Sequence, residues 1–298
     1  MTPIRHLASK GICCAAALAS VFLLLLALPA SAHRVEKRFT VDSRPVVIVR
    51  NSHGRIDVKS WKRMEVLVVG THGSEKCEVV TEQAGNRIEA RTRLNGQNLS
   101  PAEMEANFEI TVPEESELQV HNDSGVIIVE RVYGDMTFDT IAADVRLQEV
   151  YGFLVVKMTG GSLFCTKCAG RLEASSISGD IQLFQPQLDF ARVQSTSGNI
   201  LFDGELRRGT YSLKNYNGII EVRFSPDDSF DLKASTVLGS IENQAQLQSD
   251  PHGSGSTRRQ IPRASTASNS FIGTFKEGHA RVELSTYSGK IRIRPRVQ

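Results

Sequence analysis

An all-β fold is predicted, a parallel β-solenoid (β-roll or β-helix) of about nine coils of 18–21 residues with a more irregular N-terminal strand region. Three observations carry that reading. Small residues recur every nine positions, at Gly125, Gly134, Ala143, Gly152, Gly161, Gly170 and Gly179. Each is followed two residues later by an apolar side chain: Ile127, Met136, Val145, Leu154, Leu163, Leu172 and Ile181. Outside this stretch strand signals dominate and convincing helix signals are absent. A short fixed period marks a repeat array in which each unit buries its apolar face only against its neighbours.

Taken in order, residues 1–32 read as a secretory signal peptide. Arg5 and Lys10 supply a positive start, Ile12 to Leu28 is almost wholly apolar, and Ala30-Ser31-Ala32 is an A-x-A cleavage site that would leave His33 as the first residue. The alternative is a retained membrane anchor, because the apolar run approaches the length of a spanning helix. Cys13 and Cys14 lack the small-residue box that lipid attachment requires. The chain is therefore expected to be exported, to the periplasm, cell surface or medium, with membrane contact only through this segment if it is kept. Its loss would remove two positive charges, leaving 33 Lys+Arg and 33 Asp+Glu in residues 33–298. That balance argues against nucleic acid or an anionic membrane as a general partner. Three cysteines remain, Cys77, Cys165 and Cys168, an odd number that provides no disulfide framework.

The remaining 33–298 reads as one solenoid domain. Its first part, 33–120, contains long strands: Val46–Val49, then the turn Asn51-Ser52-His53-Gly54, Ile56 and Val58, Val66–Val69, Cys77–Thr81, Ile88–Leu94 and Phe108–Val112. Ser100 to Glu105 suits a single helical turn, with Pro101 at its start and acids in its first turn. Regular coils fill 121–246. Their anchors are Gly125, Ala143, Gly161, Gly179, Gly198, Gly218 and Gly239, with Gly54 fitting before and Gly289 after. Two positions past these anchors every residue is aliphatic, from Ile56 to Ile291, and four past only Asn243 is polar. Apolar residues also stand five and seven before. With a strand period of two, each coil thus sends two pairs inward from opposite walls. Three before the anchors all but Met158 are polar (Asn51, Asn122, Thr140, Ser176, Ser195, Asn215, Thr236, Thr286), a ladder suited to satisfying corner backbone groups. Residues 247–270 have loop composition and read as a flexible insertion. A closing coil, 271–298, is expected to end the stack, with Arg292, Arg294 and Arg296 discouraging further pairing at an exposed edge.

Asn51-Ser52-His53-Gly54-Arg55-Ile56-Asp57-Val58 with Trp61 resembles the opening of the bacterial putative-adhesin family, a domain of unknown function with β-solenoid repeats. Ile110-Thr111-Val112-Pro113 leading to Leu118 and Val120, the steps Ser178-Gly179-Asp180-Ile181 and Ser197-Gly198-Asn199-Ile200, and the run Gly278 to Ile291 are similar to it as well. The resemblance covers nearly all of 33–298. It implies the solenoid fold and an envelope location, and it offers no active-site residue.

Cys165-Thr166-Lys167-Cys168 is the sharpest local motif. Cys165 falls in an aliphatic column and Cys168 matches Val132 and Val150, so both read as core filling, with a local disulfide as the alternative. A zinc site would need ligands that no second CxxC supplies. Asp135, Asp144 and Asp180 follow anchors but do not form the repeated motif of calcium-binding rolls. Asp135 and Asp180 with Arg171 are the residues a polysaccharide-active enzyme would use. His53, His72, His121, His252 and His279 are scattered without ligand spacing. No metal or cofactor is expected. The favoured function is a non-catalytic envelope protein, an adhesin that binds a surface polymer or protein through a solenoid wall. Tyr216 and Tyr287, both two before an anchor, and Arg258 and Arg259 in the insertion are the candidate binding residues. A polysaccharide-active enzyme or an envelope-stress or assembly factor is the alternative.

Overall fold

Alternating burial runs through nearly every strand of the computed structural model, which describes residues 33–247 and 270–296. The first part holds β1 (His33–Thr40), β2 (Val46–Trp61), β3 (Glu65–His72), β4 (Cys77–Ala84), β5 (Arg87–Leu94), the short helix α1 (Pro101–Met104) and β6 (Ala106–Pro113). Next come β7 (Glu117–Glu130), β8 (Met136–Gln148), β9 (Tyr151–Met158), β10 (Leu163–Thr166), β11 (Ala169–Ser176), β12 (Ile181–Phe184), β13 (Gln187–Ser195) and β14 (Ile200–Asp203). The last described elements are β15 (Thr210–Asn215), β16 (Ile219–Phe224), β17 (Phe230–Thr236), β18 (Ser240–Asn243), β19 (Ser270–Phe275), β20 (Ala280–Thr286) and β21 (Lys290–Pro295).

Parallel pairing stacks equivalent residues of successive coils, as the sequence columns require. Along the first wall Val49, Val120, Phe138, Val156, Ala174, Val193 and Leu213 are register partners. Along the second, Ile56, Ile127, Val145, Leu163, Ile181, Ile200 and Ile220 are. All of these are buried and belong to a single apolar core. Tyr211 joins the aliphatic column of the first wall by donating its hydroxyl proton to the Leu188 carbonyl at 2.6 Å. Burial pushes that phenol's pKa up.

The polar ladder works in two ways. Ser176, Ser195, Thr236 and Thr286 each accept the backbone N–H of their own anchor, Gly179, Gly198, Gly239 and Gly289, at 2.7–3.0 Å. Asn122 and Asn215 instead donate to the anchor carbonyl of the preceding coil, Gly54 and Gly198. At all anchors but Ala106 and Ala143, glycine stands where proximity demands it. A β-carbon on Gly179 would overlap the Gly161 carbonyl oxygen, although its own φ is not left-handed. The opposite corner combines the close-packed Gly134, Gly152 and Gly170 with left-handed non-glycine residues, Arg131, Glu149, Lys167 and Gln185, at φ 48–55°.

Three expectations need correction. First, chain order is not stacking order at either end. β20 lies between β15 and β17, and β21 lies between β16 and β18. The coil anchored by Gly289 therefore inserts between those of Gly218 and Gly239, so β20 and β21 do not close the stack; on the first wall β19, antiparallel to β17, is the outermost strand. Arg292, Arg294 and Arg296 accordingly face neighbours rather than an open edge. Arg292 and Arg294 approach Glu221 at 3.8 Å, Arg292 also reaches Glu242 at 3.3 Å, and Arg296 reaches Asp203 at 3.0 Å. The polar exception Asn243 belongs to the outer coil of the second wall, where its side chain bonds both backbone groups of Ala245.

Second, a tenth coil exists. β5 and β6 pair in parallel with the two halves of β2, opposite its β7 side. The sequence hides this coil because Ala106 stands at the anchor position and residues 95–105, including α1, interrupt it. As expected, α1 is one helical turn, and Glu103 accepts the Ser100 N–H at 2.8 Å. Third, Cys165 and Cys168 are fully buried in their columns but joined by a disulfide. Among the described residues Cys77 is the free thiol, and burial raises its pKa.

Candidate binding groove

The residue two positions before each anchor leaves the first wall at the corner and points outward. In stacking order this column runs Ile141, Thr159, Ile177, Thr196, Tyr216, Tyr287 and Val237. Ile141, Ile177, Tyr216 and Val237 are each 52–56 % exposed, and Tyr287 is 40 % exposed. Because the Gly289 coil inserts beside the Gly218 coil, Tyr216 and Tyr287 become immediate neighbours although chain order places a coil between them. Their rings stack with centroids 4.7 Å apart and planes 4° from parallel. The spacing is that of adjacent strands, about 4.8 Å, so the backbone ladder itself sets the stack.

Beside the stack lies a groove of ≈ 510 Å³. Its floor is the ladder Ser176, Ser195, Asn215 and Thr286, and its flank carries Ser175, Gln194, Lys214 and Ser285 from successive coils. The flank offers hydroxyl, amide and amine groups along the axis next to an aromatic surface, whereas the floor residues are buried and bonded to the anchor backbone. Lys214 is the one charged residue among those lining it. Such a surface can stack an apolar ring face and hydrogen-bond the polar groups around it, repeatedly along an extended ligand.

At the opposite corner, Tyr133 and Tyr151 are paired residues of successive coils, 40 % and 59 % exposed. They border a second groove of ≈ 540 Å³ with Asp135 and the Arg44–Glu115 ion pair. The sequence reading missed these two tyrosines and the exposed Ile141 and Ile177. Their signal was present, since the tyrosines each precede a glycine at a spacing of 18 and the isoleucines share the Tyr216 column.

The other expected residues separate. Arg258 and Arg259 lie outside the described residues. The suggested enzyme residues do not converge: Asp135 precedes the first-wall part of β8, whereas Asp180 precedes β12 on the second wall. Asp135 accepts the Phe153 N–H at 3.1 Å and Asp180 the Asn199 N–H at 2.7 Å, so both carboxylates tie their coil to the next. Arg171 is held between Phe153 and Phe190, 5.5 and 5.0 Å from their ring centroids. Among the described residues no cluster of three or more His, Cys, Asp or Glu could hold a metal, and no helix is long and apolar enough to cross a membrane. His72, read as a surface residue, lies opposite His33 across the β1–β3 ladder, with rings stacked at 5.1 Å.

The two parallel walls, inward columns and glycine corners define a β-solenoid repeat protein. The match to the family model Toastrack DUF4097 spans residues 49–294, and the chain belongs to that family. No curated protein matches it. Among solved structures it is similar to a putative adhesin from Bacteroides fragilis, at 10 % identity over 88 % of this chain and 97 % of that one, with a TM-score of 0.47. A putative adhesin from Parabacteroides merdae matches at 6 % identity over 87 % and 95 %, with a TM-score of 0.39. A putative cell adhesion protein from Clostridium sporogenes matches at 11 % identity over 89 % and 100 %, with a TM-score of 0.26.

Proposed function

We propose that the chain is an exported, non-catalytic envelope protein of adhesin type, which binds an extended glycan along the Tyr216–Tyr287 corner. Residues 1–32 direct export in this reading and are cut off after Ala32. The observation that supports binding is the exposed tyrosine stack beside a groove flanked by Ser175, Gln194, Lys214 and Ser285 from successive coils. An extended ligand suits this surface, because successive coils offer it a series of polar contacts beside the stack.

The test is a glycan and envelope-component array probed with the purified chain. Binding should appear on polysaccharides, and Tyr216→Ala and Tyr287→Ala should each weaken it by roughly tenfold or more, about 1.4 kcal/mol. Tyr151→Ala, at the other corner, should leave it unchanged. Binding that ignores both groove substitutions, or turnover of a polymer in the same wells, would overturn the reading.

A further inference from the structure

We propose that His33 and His72 form a copper(II) site, whose donors are the α-amino group and imidazole of His33 and Nε2 of His72. The proposal rests on cleavage after Ala32, which frees the His33 amine. It does not depend on the glycan groove.

The ladder between β1 and β3 ends on the pair His33↔His72. Side chains directly opposite in such a ladder have β-carbons about 5 Å apart. The two imidazoles are already face to face, with centroids 5.1 Å apart and planes 17° from parallel. Two nitrogens bound to one ion at ~2.0–2.1 Å are at most about 4 Å apart, a span met when the His33 ring turns out of the stack to aim its lone pair at the ion that His72 Nε2 holds. The tautomer is also set. His72 Nδ1 lies 3.0 Å from the Ser74 carbonyl, which can only accept, so Nδ1 carries the proton. The lone pair of the neutral ring is then on Nε2, and the carbonyl acts as the outer partner that orients a metal-binding histidine. At His33, the freed amine and the ring nitrogen Nδ1 belong to one residue and can chelate together. The result is three uncharged nitrogen donors with no thiolate or carboxylate required. Among divalent first-row ions, nitrogen-rich sites of this kind favour Cu(II).

To test this, the protein is produced with its own residues 1–32, purified after export, and its first residue read by mass spectrometry. Cu(II) is then titrated and followed by electron paramagnetic resonance. The expected protein begins at His33, binds one Cu(II), and shows coupling to three nitrogens. His72→Ala should weaken binding by more than about tenfold and remove one coupled nitrogen. Adding one alanine ahead of His33, so that the amine is moved, should weaken it comparably. Circular dichroism should be unchanged for both, since the altered positions end a ladder outside the solenoid core. A chain that begins at His33 yet binds no copper would sink the proposal. So would a His72→Ala chain with unaltered affinity and nitrogen count, or an exported chain whose first residue is not His33. That last outcome would leave the groove to be judged by its own array.

Discussion

At Gly179 a β-carbon would overlap the carbonyl oxygen of Gly161, an atom of the backbone that cannot move without parting two coils. Gly179→Ala is therefore expected to lower stability by about 3 kcal/mol. Urea unfolding would measure it, with Gly73→Ala as control, where an added carbon meets nothing. Glu103 tests a different residue-scale effect. Lys76, and then Ser100, hold its carboxyl down to about 2. A depressed acid contributes stability above its unfolded value that is lost as pH falls toward the folded one. The protection factors of the amides around α1 should thus fall between about pH 4.5 and 2, and Glu103→Gln should abolish that dependence. At this scale much was legible: the inward columns, the glycine anchors and the single helical turn each follow from residue type and spacing. The left-handed positions Arg131, Glu149, Lys167 and Gln185 were not, because nothing in their side chains advertises φ > 0.

Among the elements, β21 is bound to its neighbours by charge as well as by backbone. Glu221 on β16 lies near Arg223 on its own strand and near Arg292 and Arg294 on β21, with only 13 % of its side chain exposed. Removing one half-buried carboxylate leaves several guanidinium groups poorly compensated. Glu221→Ala should cost about 1–2 kcal/mol, detectable as a lower denaturant midpoint, and its loss should be partly relieved at high salt. The Cys165–Cys168 bridge spans a separation of 3 residues, so it closes a very short loop. Reduction, or replacement of both cysteines by valine, should cost no more than about 2 kcal/mol and leave the fold intact. Column position correctly placed both cysteines in the core. It could not reveal the bond, because burial and pairing make the same demand for a small apolar side chain at those sites.

For the molecule as a whole, the period specified architecture but not connectivity. Equivalent columns make coils interchangeable partners, so the pattern around Gly239 and Gly289 fits either order. The order shows only in the pairing itself, where a β-carbon at Gly289 would meet the Gly218 carbonyl and one at Gly239 the Gly289 carbonyl. The same ambiguity hid the proximity of Tyr216 to Tyr287, and therefore most of the candidate groove. Removal of residues 277–298 should expose Phe230–Asn243 to limited proteolysis while Thr210–Phe224 remains protected. If chain order governed stacking, Phe230–Asn243 would stay protected as well.

The displaced coil also has a consequence in time. A chain made N-terminus first can add β7 to β16 one turn after another as they emerge. β17 and β18 must then wait, because the surface they need is supplied by β20 and β21, which are made after them. β20 and β21 thus act as a keystone: a chain interrupted before them is left with an unfinished, strand-ready face, which their arrival seals.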